Sequence, residues 1–444
     1  MGVIEAAQSQ AAGPAAFWHF HDRLSVGDEL RQAPPLVVAY IWATVLLQRI
    51  ALPIGEGYAS PLVPLGLALA AWLYITRRAR IEAVRAGLMT VAYVLILVAS
   101  LVGIAGGADP SIPSLVLMLI LYLPFALVLS APGKPIAAGL LASVRSAASV
   151  IALLAIGQMF AQLAFGWKWS DLLATLVPSR FMVEGYVTSY PVTFGSTIYK
   201  SNGVLLLEPS LCSQILALGI LAQIGLGRGR ARIVLLTLAL LTTASGTGLI
   251  VLIVGLFVYL VRRGAKQVVA ALALALLLGA GVAISPLSNV YLDRITNSAD
   301  PGSSGYQRFV APWDRMGEAL MTSPRTLLVG SGAGSGQDQV DRIVAAQGVP
   351  AIDTPQSKLV AEYGWPAAML FVVFFMIVLV RGSTSPVIAA SLATLYFLLG
   401  GNLLQAQTVL LVWTLTLPWV ESRRLDPSFG ELGVAVHEVG DGQG

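Results

Sequence analysis

Arg308 and Arg315 lie about two helical turns apart in residues 307–321, where Phe309, Val310, Trp313, Met316, Leu320 and Met321 recur at helical spacing. Their guanidinium groups then share one face, and each offers paired donors that match the oxygens of a phosphate. The same pattern fits a helix lying along a membrane surface with ordinary snorkelling arginines, so both readings stand on periodicity alone. Further upstream, Trp167, Trp169, Arg180, Tyr186, Tyr190, Tyr199 and Lys200 crowd into residues 166–202, followed by Glu208 and Pro209. Tryptophan and tyrosine prefer the headgroup level of a bilayer, and their rings also stack on sugars. Glu208 stands in an apolar run, where an ionisable side chain is costly unless it is paired or wet. A functional or ion-pairing role is therefore expected, with Lys200 as a partner nearby in sequence. Pro209, beside Glu208, is expected to loosen the helix and open the carboxylate to the outer side.

What is missing narrows the chemistry further. Histidine occurs only at His19, His21 and His437, in the tails, so no imidazole is available as base, proton shuttle or metal ligand. A general base must then be a carboxylate, and an activated serine has no partner. The glycines at 330, 332, 334 and 336 lack the Lys-Ser/Thr and the strand–helix setting of a nucleotide loop. The single cysteine, Cys212, offers no disulfide and no thiolate metal site. No metal and no cofactor are expected.

The elements that must position these residues are membrane helices. The chain has 444 residues, of which 56% are hydrophobic and only 11% charged, and its mean hydropathy is +0.78. That leaves too little polar surface for soluble domains, and the apolar runs recur from end to end. The net charge of +4 comes from short basic clusters between those runs. The positive-inside rule explains them, so a nucleic-acid partner is excluded.

Spans of roughly 20 apolar residues are expected at residues 36–54, 62–76, 86–105, 113–131, 137–165, 203–226, 268–287 and 359–380. Residues 233–261 have basic clusters on both flanks and Thr242, Thr243, Ser245, Gly246, Thr247 and Gly248 at their middle. They are expected to form a hairpin of two short helices whose tip floors a cavity. Gly400, Gly401 and Asn402 similarly break residues 387–420. The fold class is therefore all-α, a polytopic transmembrane helical bundle of about 12 membrane segments, some short or broken.

Its domains are a cytoplasmic tail (1–35), N-terminal helices (36–165), a first large periplasmic loop (166–202), and central helices with the broken hairpin (203–287). A second large periplasmic loop (288–358), C-terminal helices (359–420) and a cytoplasmic tail (421–444) complete the chain. Arg77, Arg78, Arg80, Arg85, Lys134, Arg381, Arg423 and Arg424 all fall on one side if the N-terminus is cytoplasmic.

These residues resemble the O-antigen ligase and polymerase superfamily of bacterial membrane glycosyltransferases. Tyr199-Lys200-Ser201-Asn202-Gly203, running into Leu207-Glu208-Pro209-Ser210, is similar to an Arg-x-x-Gly segment entering a span after the first large periplasmic loop. Thr243 to Gly248 resembles a Ser-Gly-rich break between two short helices. Arg308 with Trp313, then Pro324 and the glycines from Gly330, resembles the Arg-x-x-x-x-Trp helix and Gly-rich turn of the second loop. Asp353 through Gly364 resembles the junction that re-enters the membrane. The likeness covers residues 180–380, and its warrant is the order and spacing of these short motifs.

The resemblance implies a GT-C-like fold in the bacterial inner membrane. It also implies transfer of a glycan from an undecaprenyl-pyrophosphate carrier on the periplasmic side, with chain-length regulator or flippase proteins as possible partners. Lys200 and Arg308 would match the two phosphate-handling cations. Arg180, Arg315, Trp313 and Tyr199 would join them in binding pyrophosphate and glycan, and Glu208, Asp353 and Arg308 would carry the catalysis. A lysine at 200 keeps the charge of the family's arginine but not its fork. Ligases of the family carry a histidine near the position of Asp353, and its absence here favours chain polymerisation. A ligase and a transporter of lipid-linked glycan are the alternatives. Broken helices are also a transporter signature, but no internal repeat accompanies them.

Overall fold

The computed structural model describes residues 33–54, 57–107, 110–130, 134–167, 171–183, 186–192, 196–227, 229–266, 268–269, 306, 310–335, 353–399 and 403–418. Within them the chain is mostly helical. In order come α1 (Pro35–Leu46), β1 (Leu52–Ile54), β2 (Gly57–Ala59), α2 (Leu62–Ile75), β3 (Ala79–Ile81), α3 (Ala83–Ala105) and α4 (Ile112–Tyr122). Next are β4 (Leu127–Leu129), α5 (Lys134–Phe165), α6 (Leu172–Leu176), α7 (Pro209–Leu226), α8 (Arg230–Thr242) and α9 (Gly246–Arg263). The remainder are α10 (Ala311–Thr322), α11 (Pro324–Val329), α12 (Pro355–Gly382), α13 (Pro386–Ala393) and α14 (Ala406–Leu415). Among the described residues, 5 helices are long and apolar enough to cross a bilayer: α3, α5, α7, α9 and α12.

Local chemistry explains where these helices start. Proline, whose missing N–H costs nothing in a first turn, opens α1, α7, α11, α12 and α13. Glu82, Ser111, Asp171, Ser323 and Ser385 cap α3, α4, α6, α11 and α13 with their side-chain oxygens. Thr354 and Ser357 form a reciprocal capping box at α12. Of these 5 helices α7 is the most enclosed, with 83% of its apolar window buried, against 22% for α9. A buried aromatic cluster of Tyr122, Phe371, Phe375 and Tyr396 joins α4, α12 and the π-helical turn Thr394–Leu398.

Backbone pairing sorts the helix ends into two groups. At one, β3 pairs antiparallel with β4, Ser130 bonds the Arg77 carbonyl, and Leu129 N–H donates to Leu417. Arg85, fully buried, donates to the carbonyls of Phe125, Leu127 and Thr416. Arg77, Arg78, Arg80 and Arg85 thus gather at one end. At the other end are the β1–β2 hairpin, the described residues between 171 and 206, and residues 323–335.

Several expected elements differ. Residues 203–208 are not helical: Gly203 and Val204 both have φ of 64°, and Glu208 is the extended residue before α7. Pro209 does not loosen a helix but starts one, because it occupies the first turn. In the expected hairpin α8 is short, whereas α9, at 18 residues, is long enough to cross. The amphipathic helix of the second loop runs Ala311–Thr322, later than expected, with Pro312 in its first turn. Arg308, the expected break at 400–402 and the expected span at 268–287 fall outside the described residues, apart from 268–269.

Candidate transfer site

The site is built around the turn that delivers Glu208. Gln158 and Gln162, on α5, hold the incoming strand: Gln158 Oε1 accepts Asn202 N–H at 3.2 Å, and Gln162 both accepts from and donates to the Tyr199 backbone, at 2.8 and 3.1 Å. Asn202 then folds the turn on itself, accepting Val204 N–H and donating to the Leu206 carbonyl. Gly203 is required here, since a Cβ would come within 2.9 Å of Ile151. The Glu208 carboxylate accepts the Ser210 hydroxyl at 2.8 Å. The Ser210 carbonyl in turn accepts the Thr247 hydroxyl from the α8–α9 tip, and Ser201 N–H donates to Thr242. Gly248 N–H donates to Ser213 Oγ at 2.9 Å, and a Cβ there would lie 2.3 Å from the Ser213 carbonyl oxygen. The hairpin tip is therefore stitched to the start of α7.

Residues 171–183 and 186–192 lie against this turn. Arg49, at the end of α1, is 4% exposed and makes a two-pronged ion pair with Asp171, with Nη1 2.7 Å from Oδ1. The same nitrogen donates to the Val204 carbonyl at 3.2 Å, and Thr188 donates to Asp171 at 3.1 Å. Burial alone would raise the Asp171 carboxyl, but the Arg49 bonds, Ala174 N–H and Thr188 outweigh it and hold the group below the usual carboxylate value. Tyr186 accepts from Gln405 Nε2 at 3.4 Å. Burial, with the neighbouring Tyr58 and Glu208 and against the Gln405 bond, pushes its phenol up to about 12, so it is neutral at ordinary pH. Glu208, Tyr186 and Gln405 are thus electrostatic neighbours contributed by three parts of the chain.

The second loop docks on a kink in α12. Gly364, at φ 76° and ψ 170°, and Pro366, which has no N–H, interrupt the helical ladder. The carbonyls of Ala361 and Glu362 accept Ser331 N–H at 2.8 Å and Gly332 N–H at 2.9 Å. Lys358 Nζ lies 3.6 Å from the fully buried Glu362. Arg325 donates to the carbonyls of Val102 and Gly103 at the end of α3, and Ser111 N–H to that of Ala333. The glycine-rich turn is a packing device, fitted to the kink.

Each expected site residue can now be placed. Tyr199 and Lys200 lie on a short strand against Tyr190 and Pro191, which leads directly into the Glu208 turn. Arg180 is exposed, with its guanidinium 4.9 Å from the Phe181 ring. Trp313 is 48% exposed on α10, and Arg315 follows it on the same helix. Asp353 stands just before the cap of α12, on the side of the second loop. Arg49, Asp171 and Gln405 were not singled out from sequence. The rule that picked Glu208, an ionisable residue in an apolar span, applied equally to Arg49 in the expected span 36–54.

The model of the WcaD colanic acid polymerase family matches residues 36–419. The chain belongs to this family. It is a polysaccharide polymerase of the glycosyltransferase type, and its apolar helices make it an integral membrane enzyme. No curated protein and no solved structure gave a significant match. The match runs from the start of α1 past the end of α14, so the polymerase fold takes in both the Glu208 turn and the docked second loop.

Proposed function

We propose that the polymerase joins undecaprenyl-pyrophosphate-linked oligosaccharide repeat units into exopolysaccharide or O-antigen at the periplasmic face of the inner membrane, without a metal ion. A carboxylate, Glu208 or Asp353, takes the proton of an acceptor sugar hydroxyl. The hydroxyl oxygen forms the new bond to the anomeric carbon of the donor as the bond to the carrier pyrophosphate breaks. Lys200 and Arg308, with Arg180 and Arg315, stabilise the charge that develops on the departing pyrophosphate, which needs fixed cations more than a Lewis acid. Tyr199 and Trp313 offer apolar faces to the sugars.

The observation that carries this reading is the placement of Glu208. Its carboxylate is held by Ser210 before the first turn of α7, beside Tyr186 and just past the turn that follows Lys200. One base candidate, Glu208, and one cation candidate, Lys200, therefore flank a single held turn. The test is a purified-protein assay with lipid-linked repeat units, in detergent and with no sealed compartment. Carrier-linked products of increasing length support polymerisation. Transport of lipid-linked glycan predicts no such product, and ligation predicts a glycan capped onto a second lipid.

A further inference from the structure

We infer that Arg49 is a positioning residue for the transfer reaction: paired with Asp171, it clamps the left-handed Gly203–Val204 turn and so fixes where Glu208 meets the segment that carries Tyr186. This rests on the reading of Glu208 as a group of the transfer site. Arg49 is remote in sequence from both, 122 positions before Asp171 and 155 before Val204. It reaches across from the end of α1 and bonds two separate pieces of the site, the Val204 carbonyl and the Asp171 carboxylate. Asp171 passes the constraint on through Thr188 to residues 186–190.

A second, independent feature marks the turn as held. Val204 is β-branched, yet it has φ of 64°, a conformation such residues avoid. Backbone of this kind persists only where its surroundings over-determine it. Here they do: Asn202 accepts Val204 N–H, Arg49 donates to the Val204 carbonyl, and Ile151 closes off the space beside Gly203. Apolar packing would join α1 to the loop at least as well as a buried ion pair does. What the forked pair adds is direction, since a guanidinium meeting a carboxylate on two prongs fixes both planes.

The test is the kinetics of chain extension by the detergent-solubilised full-length protein on lipid-linked repeat units. Arg49→Met lowers kcat on the order of 10- to 100-fold and leaves KM within about twofold, because geometry is lost and not a substrate contact. Arg49→Lys, which keeps charge without the fork, recovers only part of the rate. Adding Val204→Gly to Arg49→Met restores part of kcat, since glycine takes positive φ without a clamp. Arg49→Met at wild-type kcat overturns the inference. So does a loss confined to KM, which would make Arg49 a ligand-binding cation. Should Arg49→Met fail to accumulate as folded protein, Asp171→Asn is read by the same criteria. Wild-type protein that extends nothing overturns the polymerisation reading and not the clamp. In that case hydrogen exchange decides: amides of residues 202–207 released in Arg49→Met support it, and unchanged protection overturns it.

Discussion

Gly332 donates its backbone N–H to the carbonyl of Glu362 at 2.9 Å, on the turn of α12 where Pro366 supplies no donor. A helix defect and a loop turn thus satisfy one another, and through them the second loop is fixed to a membrane helix. The fit is close on both sides. A Cβ at Gly330 would lie 2.4 Å from the Glu362 carbonyl carbon, and one at Gly364 would lie 2.4 Å from that of Leu328.

Gly330→Ala and Gly364→Ala are therefore expected to lower the thermal midpoint of the detergent-solubilised protein and to slow chain extension together. Each puts a side chain on a residue with positive φ and ψ near 180°, a region almost reserved for glycine, at about 1–3 kcal/mol, before the backbone collision is counted. Glycine-to-alanine replacement at Gly87, where nothing lies within 4 Å of the added carbon, is the control and should leave the midpoint unchanged or raised.

Arg325 closes the last turn of α3 through the Val102 and Gly103 carbonyls. Arg325→Gln should cost about 0.3–1 kcal/mol, the usual worth of a cation at a helix C-terminus. It should also free residues 323–335, read as faster cleavage there in limited proteolysis. Unchanged cleavage would mean that the stitching to α12 alone holds the loop.

Much of this fold could be read from the chain. The expected span 137–165 is observed as Lys134–Phe165, and 359–380 as Pro355–Gly382, because long apolar runs bounded by charge leave little choice. Glu208 was read one turn too deep. Hydropathy gave the run from Gly203 as continuous, but the left-handed Gly203–Val204 turn and the Asn202 side chain take those residues out of the helix. The Arg49–Asp171 pair joins residues 122 positions apart, and no local pattern reports such a contact.

That pair also predicts an acid response. The Asp171 carboxyl is held below its ordinary value of about 3.9 in the folded protein. Its contribution to stability is full above that unfolded value and is lost as pH falls through the lower folded value. Wild-type protein should thus lose stability more steeply below about pH 4 than Asp171→Asn does. Parallel unfolding curves from pH 5 downward would show that Asp171 gains nothing from Arg49.

The base is assigned by comparing Glu208→Gln with Asp353→Asn. Loss of a general base lowers the rate by about 100- to 10,000-fold, and glutamine keeps the shape and the bond from Ser210. The larger loss is expected at Glu208, with near-normal protein abundance. A large loss at Asp353 alone would move the base to the second loop.

Chain extension by purified Lys200→Ala and Arg308→Ala proteins tests the central claim most directly. Fixed positive charge from both outer loops is held to carry the departing pyrophosphate, so each substitution should abolish carrier-linked products while protein abundance stays near that of wild type. Extension at wild-type rates in both variants would contradict it.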